Sequence, residues 1–205
     1  MILNKKQSKA LDFWEDKTTN EILFGGGAGG GKSVLGVYCL LKSAIKYDGT
    51  RWLMGRAKLK TLKETTLNTF FDVCKMQGLK PNVHYNYNQQ KNIITLFNKS
   101  EILLKDLFLY PSDPNFDELG SLEITGAFID ECNQIVSKAW AITQSRIRYK
   151  LDENGLIPKQ IGTCNPAKNF VYTDFYRPDR DGKIEPYKKF IQSLVTDNPD
   201  ISRHY

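Results

Sequence analysis

Residues 25–33 read Gly-Gly-Gly-Ala-Gly-Gly-Gly-Lys-Ser, and they lie between two segments of regular pattern. The apolar run Ile22-Leu23-Phe24 precedes them, and apolar residues at helical spacing follow from Val34 to Ile45. Residues 26–33 fit G-x-x-x-x-G-K-[ST], the P-loop or Walker A pattern. A flexible glycine linker is the alternative interpretation. The order strand, loop and helix favours the P-loop, because that motif requires it.

The residue types of this loop indicate what it binds. Glycines let the backbone curl so that successive N–H groups face a phosphate. A helix predicted from Lys32 to about Lys46 points its positive dipole end at the same anion. Lys32 is expected to reach the β- and γ-phosphates, and the Ser33 hydroxyl is expected to bind Mg²⁺. The candidate nucleotide-binding residues are Gly26, Gly27, Ala28, Gly29, Gly30, Gly31, Lys32 and Ser33.

Composition narrows the class of protein. A chain of 205 residues suffices for one domain with a substantial core. It has no run of about 18 apolar residues that could span a membrane, and its N-terminus lacks the apolar core of a signal peptide. The four cysteines are widely spaced, which favours buried free thiols in a reducing cytoplasm over a zinc site or disulfides. The net charge of +6 fits an acidic partner such as nucleic acid, or plain solubility.

The flanking patterns predict an α/β domain. Residues 3–14 form an amphipathic pattern, and short apolar strands are predicted at 21–24 and 51–54. The resulting order β–P-loop–α–β predicts a parallel sheet. Residues 55–57 are predicted as a turn, and the apolar spacing over 59–74 predicts one helix.

Gln7 lies on the apolar face of the first predicted helix. It has two interpretations at this stage. It is a partly buried structural amide, or it recognises the edge of adenine with its donor and acceptor. The P-loop that follows gives weight to the second.

The middle of the chain predicts antiparallel strands. Residues 92–97 and 101–104 flank a turn at 98–100, and Tyr85 and Tyr87 indicate a third strand. Further along, 111–119 is predicted as a loop or short helix, 136–149 as a helix and 188–195 as the last strand.

Residues 124–131 read Ile-Thr-Gly-Ala-Phe-Ile-Asp-Glu, an apolar strand that ends in two acids. Many buried strands end in a charge, but downstream of a P-loop this is the Walker B pattern. Asp130 is expected to hold the Mg²⁺ shell, and Glu131 to polarise the attacking water. An adjacent Asp-Glu pair is typical of ATP-hydrolysing machines rather than small-molecule kinases.

Two further segments carry polar candidates. Thr163 and Asn165 end the predicted strand at 160–166, and they would lie beside the γ-phosphate if that strand neighbours the Walker B strand; an ordinary Asn-Pro turn is the alternative. Arg146 and Arg148 end a predicted helix, where positive charge suits the dipole. Either arginine could instead be a finger that reaches a neighbouring subunit's γ-phosphate.

The combination of these motifs, from about Leu3 to Asp200, resembles the N-terminal ATPase domain of a tailed-bacteriophage terminase large subunit, the motor that packages viral DNA. The resemblance rests on the P-loop, Gly-Arg-Ala after the second strand, the Walker B strand, Gly-Thr-Cys-Asn-Pro and Thr-Asp-Asn-Pro. It implies that Gln7 recognises adenine, that Asp130 and Glu131 are the Mg²⁺ and catalytic carboxylates, and that Thr163 and Asn165 form the coupling motif.

The resemblance also implies a fold and an assembly. The fold is a P-loop NTPase with a mainly parallel, RecA-like (additional-strand) sheet flanked by helices, plus a small antiparallel insertion around 83–105. Residues 1–205 would be one ATPase domain. ATP and Mg²⁺ are the implied cofactors; double-stranded DNA, a portal protein and the small terminase subunit are the implied partners. The implied working state is a homo-oligomeric ring, with five subunits expected, docked on the procapsid portal in the host cytoplasm; a monomer stays open for the isolated domain.

Two features depart from the family pattern. The P-loop has Gly27-Ala28-Gly29-Gly30 where many terminases carry an arginine, and Gly120-Ser121-Leu122 stands where many carry Arg-Gly-Leu. Arg56, Arg146 and Arg148 are therefore the remaining finger candidates.

The family's RNase H-like nuclease domain is not in this sequence. We expect either a piece of a longer protein or a nuclease on another polypeptide, and no nuclease activity from these residues, because no second acidic cluster is left for a two-metal site. A helicase-like DNA-dependent ATPase and a nucleotide-binding assembly switch with little hydrolysis are the alternative functions.

Overall fold

A computed structural model describes residues 2–27 and 29–197 of the chain, and in them one sheet lies between two layers of helices. The strands are β1 (Glu21–Gly26), β2 (Arg51–Arg56), β3 (Tyr85–Asn88), β4 (Ile93–Leu96), β5 (Glu101–Asp106), β6 (Gly126–Ile129), β7 (Gln160–Cys164) and β8 (Lys188–Ser193). The helices are α1 (Lys5–Glu15), α2 (Lys32–Lys46), α3 (Leu59–Glu64), α4 (Thr66–Met76), α5 (Asp117–Gly120), α6 (Ser137–Ser145) and α7 (Arg177–Arg180).

The sheet order is β3-β4-β5-β2-β6-β7-β1-β8. The six strands from β5 to β8 in this order pair in parallel, whereas β3 and β4 are antiparallel. Strand β7 lies between β1 and β6, which is the additional strand expected of a RecA-like sheet. The predicted fold class is therefore confirmed. The antiparallel strands around 83–105 continue the main sheet, because β5 also pairs with β2.

Successive side chains along each strand point to opposite faces of the sheet, so a hydrophobic core forms on each face. Ile22 and Phe24 of β1 face the core that α1, α2 and α4 cover, whereas Leu23 faces the core under α6. Strand β6 is buried along its whole length, as expected for a parallel strand covered on both faces. The carboxyl ends of β1, β6 and β7 consequently meet at one edge of the sheet.

A glycine brings the P-loop helix close to the Walker B strand. A Cβ atom added at Gly36 of α2 would lie 2.1 Å from the ring of Phe128 in β6. Only a residue without a side chain lets the helix pack at this distance. The close packing fixes the N-terminus of α2 beside the end of β6.

The structure corrects three local predictions. Gly55 and Arg56 belong to β2 rather than to a turn, because β5 and β6 pair with this end of the strand on both sides. The helix predicted over 59–74 is broken at Thr65, whose φ of −128° and ψ of −72° separate α3 from α4. The helix predicted over 136–149 ends at Ser145, because the chain turns there to bridge Ile147 to the strand that leads into β6.

All four cysteines are buried and free, as the sequence predicts. In the described part of the chain, no helix has both the length and the apolar character that a membrane crossing needs.

Candidate nucleotide site

The glycine-rich loop joins β1 to α2 at the carboxyl edge of the sheet. Gly26 has a φ of 150°, and a Cβ atom added there would lie 1.7 Å from the carbonyl oxygen of Ser193, so β8 packs directly against the loop. Gly31 has a φ of 66° in the left-handed region and caps α2. Ala28 lies outside the described residues. The loop conformation therefore depends on glycine, and it directs the N-terminus of α2 towards the sheet edge.

Lys32 lies under the curve of this loop. Its Nζ donates to the carbonyl oxygens of Gly26, at 3.0 Å, and of Gly27. Burial lowers the pKa of Lys32, although the charges of Cys164, Asp130 and Glu131 oppose the shift. The loop thus places a cation among backbone groups, next to an acidic pair.

Asp130 joins four elements at the end of β6, and it is only 2% exposed. Its Oδ1 accepts hydrogen bonds from Ser33 Oγ at 2.9 Å and Thr163 Oγ1 at 2.5 Å. Its Oδ2 accepts one from Thr66 Oγ1 at 2.7 Å. Ser33 and Asp130, far apart in sequence, are in direct contact.

Glu131 lies at the same edge on an unusual backbone. Its φ of 48° and ψ of 48° lie in the left-handed region, which is costly for a residue with a side chain and is typical of functional sites. Its N–H donates to Thr163 Oγ1 at 3.1 Å, and its carboxylate accepts from Gln134 Nε2 at 2.6 Å. The side chain is 29% exposed. Glu131 therefore faces the open edge from a fixed position.

Arg56 ends β2 beside both acids. Its side chain is 8% exposed, its Nη1 lies 3.5 Å from Asp130 Oδ2, and its Nη2 forms an ion pair with Glu131 Oε2. Of the three finger candidates, this one therefore contacts the two acids that follow β6 in its own chain.

Asn165 is fixed to the segment after Glu131. Its N–H donates to Asn133 Oδ1 at 3.1 Å, and Asn169 Nδ2 donates to Asn133 O at 2.7 Å. A hydrogen bond from Cys132 lowers the pKa of Cys164, whereas burial raises the pKa of Cys132. Strand β7 does neighbour the Walker B strand, so the condition for placing Thr163 and Asn165 near the site is met.

Gln7 reaches the end of the P-loop from α1. Its Nε2 donates to Gly31 O at 3.0 Å, while its Oε1 accepts from Asn4 N at 3.0 Å. Asn4 Oδ1 accepts from Gln7 N in return, which completes a capping box. Gln7 is thus a buried structural amide at the loop, and its recognition of adenine stays a prediction.

Arg146 and Arg148 lie at the opposite edge of the sheet. Arg146 O accepts from Ile124 N, and Arg148 N donates to Ile124 O, just before β6 begins. The extended chain from Ile124 to Asp130 spans about 20 Å. Both arginines are therefore remote from the P-loop of their own chain, and a finger role in a neighbouring subunit stays a prediction.

Several residues at the site had no assignment from the sequence. They are Thr66, which donates to Asp130, Gln134, which donates to Glu131, and Ser193, whose Oγ donates to Gly30 O at 3.1 Å. Thr65 and Thr66 are adjacent in the middle of a helical pattern, and threonine is a poor helix former. This pair could have indicated the helix break and, with it, the position of Thr66.

A cleft of about 540 Å³ opens on the face of the sheet opposite α2. Gly25, Gly26, Tyr172, Tyr176 and Phe190 are among the residues that line it. The cleft is largely apolar, and Lys32, Ser33, Asp130 and Glu131 are not among the residues that line it. Among the described residues, no cluster of three or more His, Cys, Asp or Glu side chains could hold a metal ion.

The additional-strand sheet, the loop at the N-terminus of α2 and the paired acids after β6 define a RecA-like P-loop fold. Solved structures of large terminases have the same fold. One large terminase from a thermophilic bacteriophage is 17% identical with a TM-score of 0.74, covering 99% of this chain and 48% of that one. The same terminase in complex with ATP-gamma-S is 16% identical, also with a TM-score of 0.74, and it is covered over 47% of its length.

The large terminase ATPase domain of Thermus phage P74-26 is 12% identical with a TM-score of 0.61, covering 89% of this chain and 79% of that one. The chain spans about half the length of the thermophilic bacteriophage terminase. No protein-family model matches the sequence, and no curated protein does. At these identities the likeness establishes the fold.

Proposed function

We propose that this chain is the ATP-hydrolysing motor domain of a terminase large subunit, which drives double-stranded DNA into a viral capsid. The observation that carries the proposal is the contact between Ser33 and Asp130, with Glu131 beside it on the open edge. P-loop hydrolases need a serine, an aspartate and a water-activating acid in this arrangement. A pure nucleotide switch does not need the last of these.

The oxygens at this contact fit Mg²⁺. The Ser33 hydroxyl and the Asp130 carboxylate lie 2.9 Å apart, and both are hard oxygen ligands of the kind that Mg²⁺ prefers. These residues would hold the ion, which would supply positive charge to offset the charge of the phosphates.

Lys32 and Glu131 then have separate tasks. Lys32 would exchange its carbonyl partners for phosphate oxygens and stabilise the negative charge that develops during transfer. Glu131 would orient a water molecule for in-line attack and accept its proton. Its strained but fixed backbone suits this positioning role, since a small displacement of a catalytic group costs much of the rate.

Thr163 and Asn165 would link phosphate loss to movement. Thr163 Oγ1 contacts both Asp130 and the backbone of Glu131, and the Asn165 backbone is tied to Asn133. A change at the acids would therefore pass to β7 and the segment after it. We propose DNA, the portal protein and the small terminase subunit as partners, with a ring of subunits as the working assembly and the host cytoplasm as its location. ATP is the proposed substrate, in keeping with the ATP-gamma-S and ADP complexes of the thermophilic bacteriophage terminase.

Turnover measured against protein concentration, with and without double-stranded DNA and portal, tests this proposal. Glu131→Gln should lower kcat at least about 100-fold while ATP still binds, because only the water-activating acid is lost. Glu153→Gln, an exposed acid in a remote turn, is the matched control and should leave turnover unchanged.

We expect turnover per subunit to rise with concentration, since a neighbouring subunit would supply the missing finger. Wild type as inert as Glu131→Gln under every condition would overturn the motor function. High turnover by a proven monomer would remove the need for a ring.

A further inference from the structure

Arg56 is enclosed within its own subunit. Strand β2, which it ends, has β5 on one side and β6 on the other, and the residue is 7% exposed. Thr65 and Thr66, at the junction of α3 and α4, cover its remaining side. A finger for another subunit must project from the surface. The position of Arg56 therefore directs it to groups of its own chain.

The guanidinium end of Arg56 is fixed on two sides. On one side Nη2 pairs with Glu131, and Nη1 lies 3.5 Å from Asp130 Oδ2. On the other side Nη1 donates to Thr65 Oγ1 at 2.6 Å. The Thr65 hydroxyl donates in turn to Thr61 O at 2.7 Å, so it presents a lone pair to Arg56. A planar fork held on both sides can hold a carboxylate in one orientation.

The Nε group of Arg56 indicates what determines the placement of this side chain. Within the described residues, Nε is buried and makes no hydrogen bond. An unpaired buried donor is unfavourable. The side chain keeps this unfavourable position while its Nη groups contact Thr65 and the two acids, so these Nη contacts determine its placement.

From this geometry we propose that Arg56 is a positioning residue for hydrolysis, which acts in its own subunit by holding the carboxylate of Glu131. Asp130 and Glu131 are adjacent like charges, and the guanidinium between them offsets their repulsion. Removing it leaves Gln134 as the remaining side-chain partner of the Glu131 carboxylate, which is then held less firmly, so the rate of the chemical step falls while nucleotide affinity is kept. This inference rests on the proposed ATPase function.

A double-mutant cycle between Arg56→Met and Glu131→Gln tests the inference. Arg56→Met alone should lower kcat about 10- to 100-fold, since displacement of a catalytic group costs about this much. The Kd for ATP-gamma-S should change less than about threefold, because the phosphate ligands are intact. In the Glu131→Gln background, Arg56→Met should change the residual rate less than about threefold, because residues that act as one unit are not additive.

Two further variants sharpen the cycle. Arg56→Lys keeps the charge without the fork and should recover part of the lost kcat. Arg51→Met is the matched control, because Arg51 is an arginine at the other end of β2 that pairs with Glu101 at 3.1 Å, and it should leave kcat unchanged. If Arg56→Met does not fold by circular dichroism, the same cycle run with Arg56→Lys decides.

The outcomes separate this inference from the function on which it rests. Equal losses from Arg56→Met in both backgrounds, or a several-fold loss of ATP-gamma-S affinity, would overturn the positioning role. Recovery of activity on mixing Arg56→Met with Glu131→Gln subunits would overturn it too, because Arg56 would then act on a neighbour. Wild type no faster than Glu131→Gln would mean that the proposed function fails instead.

Discussion

The two edges of the sheet both bury charged side chains, but they pair them differently. At the amino edge, Lys159 Nζ donates to Asp16 Oδ1 and to Phe13 O, each at 2.8 Å. Asp16 also accepts from the backbone N–H groups of Thr18 and Thr19. Lys159 and Asp16 pair with each other and otherwise with uncharged groups, so the pair joins the end of α1 to the start of β7 as a structural clasp.

At the carboxyl edge, the charged groups share partners. Asp130 contacts Arg56, and Arg56 also contacts Glu131, while Lys32 binds backbone carbonyls next to these acids. The backbone of Glu131 is strained as well. Buried charge alone therefore does not distinguish a functional site from a structural one. Shared charged partners distinguish the two edges here.

Of the three substitutions compared here, Lys32→Ala should give the largest effect, a loss of affinity for ATP-gamma-S. Loss of the ammonium should weaken ATP-gamma-S binding by about 3 kcal/mol, roughly 150-fold in Kd, as when one member of a buried charge pair is removed. Because burial lowers the pKa of Lys32, its charge opposes folding, so the variant should not unfold more easily. Titration calorimetry and a urea melt measure the two quantities. A large loss of unfolding free energy with unchanged affinity for ATP-gamma-S would show that Lys32 at the carboxyl edge has a structural role too.

Asp16→Asn should give the intermediate effect, on stability and not on turnover. Burial raises the pKa of Asp16, but hydrogen bonds from Lys159, Thr19 and Thr18 outweigh it and hold the pKa well below the usual 3.8. A lowered folded-state pKa stabilises the fold fully above about pH 4 and progressively less as the pH falls below it. The variant should cost about 1–2 kcal/mol of unfolding free energy at about pH 7.

Urea melts between about pH 7 and pH 3 measure this cost, which should shrink below about pH 4 as wild-type Asp16 loses its advantage. Asp12→Asn, an exposed acid on the same helix, is the control and should show no such trend. If the loss of unfolding free energy in Asp16→Asn does not change with pH, the charge of Asp16 does not stabilise the clasp.

Arg148→Ala should give the smallest effect, measured as the stability of the isolated chain. Its ion pair with Glu123, at 3.0 Å, has both side chains about half exposed. Such pairs contribute less than about 1 kcal/mol. A thermal melt of the isolated chain should therefore be nearly unchanged. If kcat of an assembled ring falls about 1,000-fold while the melt stays the same, Arg148 is the finger that the sequence left open.

Local patterns in the sequence were sufficient for much of the site. The P-loop, the bounds of α2 and the acids after β6 follow from short-range chemistry: glycine at left-handed positions, a helix dipole and a buried apolar strand. The helix predicted from Lys32 to about Lys46 is confirmed at those residues. Arg56 could not be assigned in this way, because its role depends on β2 lying beside β6, two strands that are distant in the chain.

The sequence by itself determined that this protein is an α/β domain with a glycine-rich loop between its first strand and the following helix, because glycine geometry and hydrophobic period act within a few residues. Tertiary structure decided which polar groups meet. Strand order brings Ser33, Thr66 and Thr163 to Asp130 and sends Arg146 and Arg148 to the far edge. The physical reason is that pairing between distant strands sets these distances, and no local pattern encodes them.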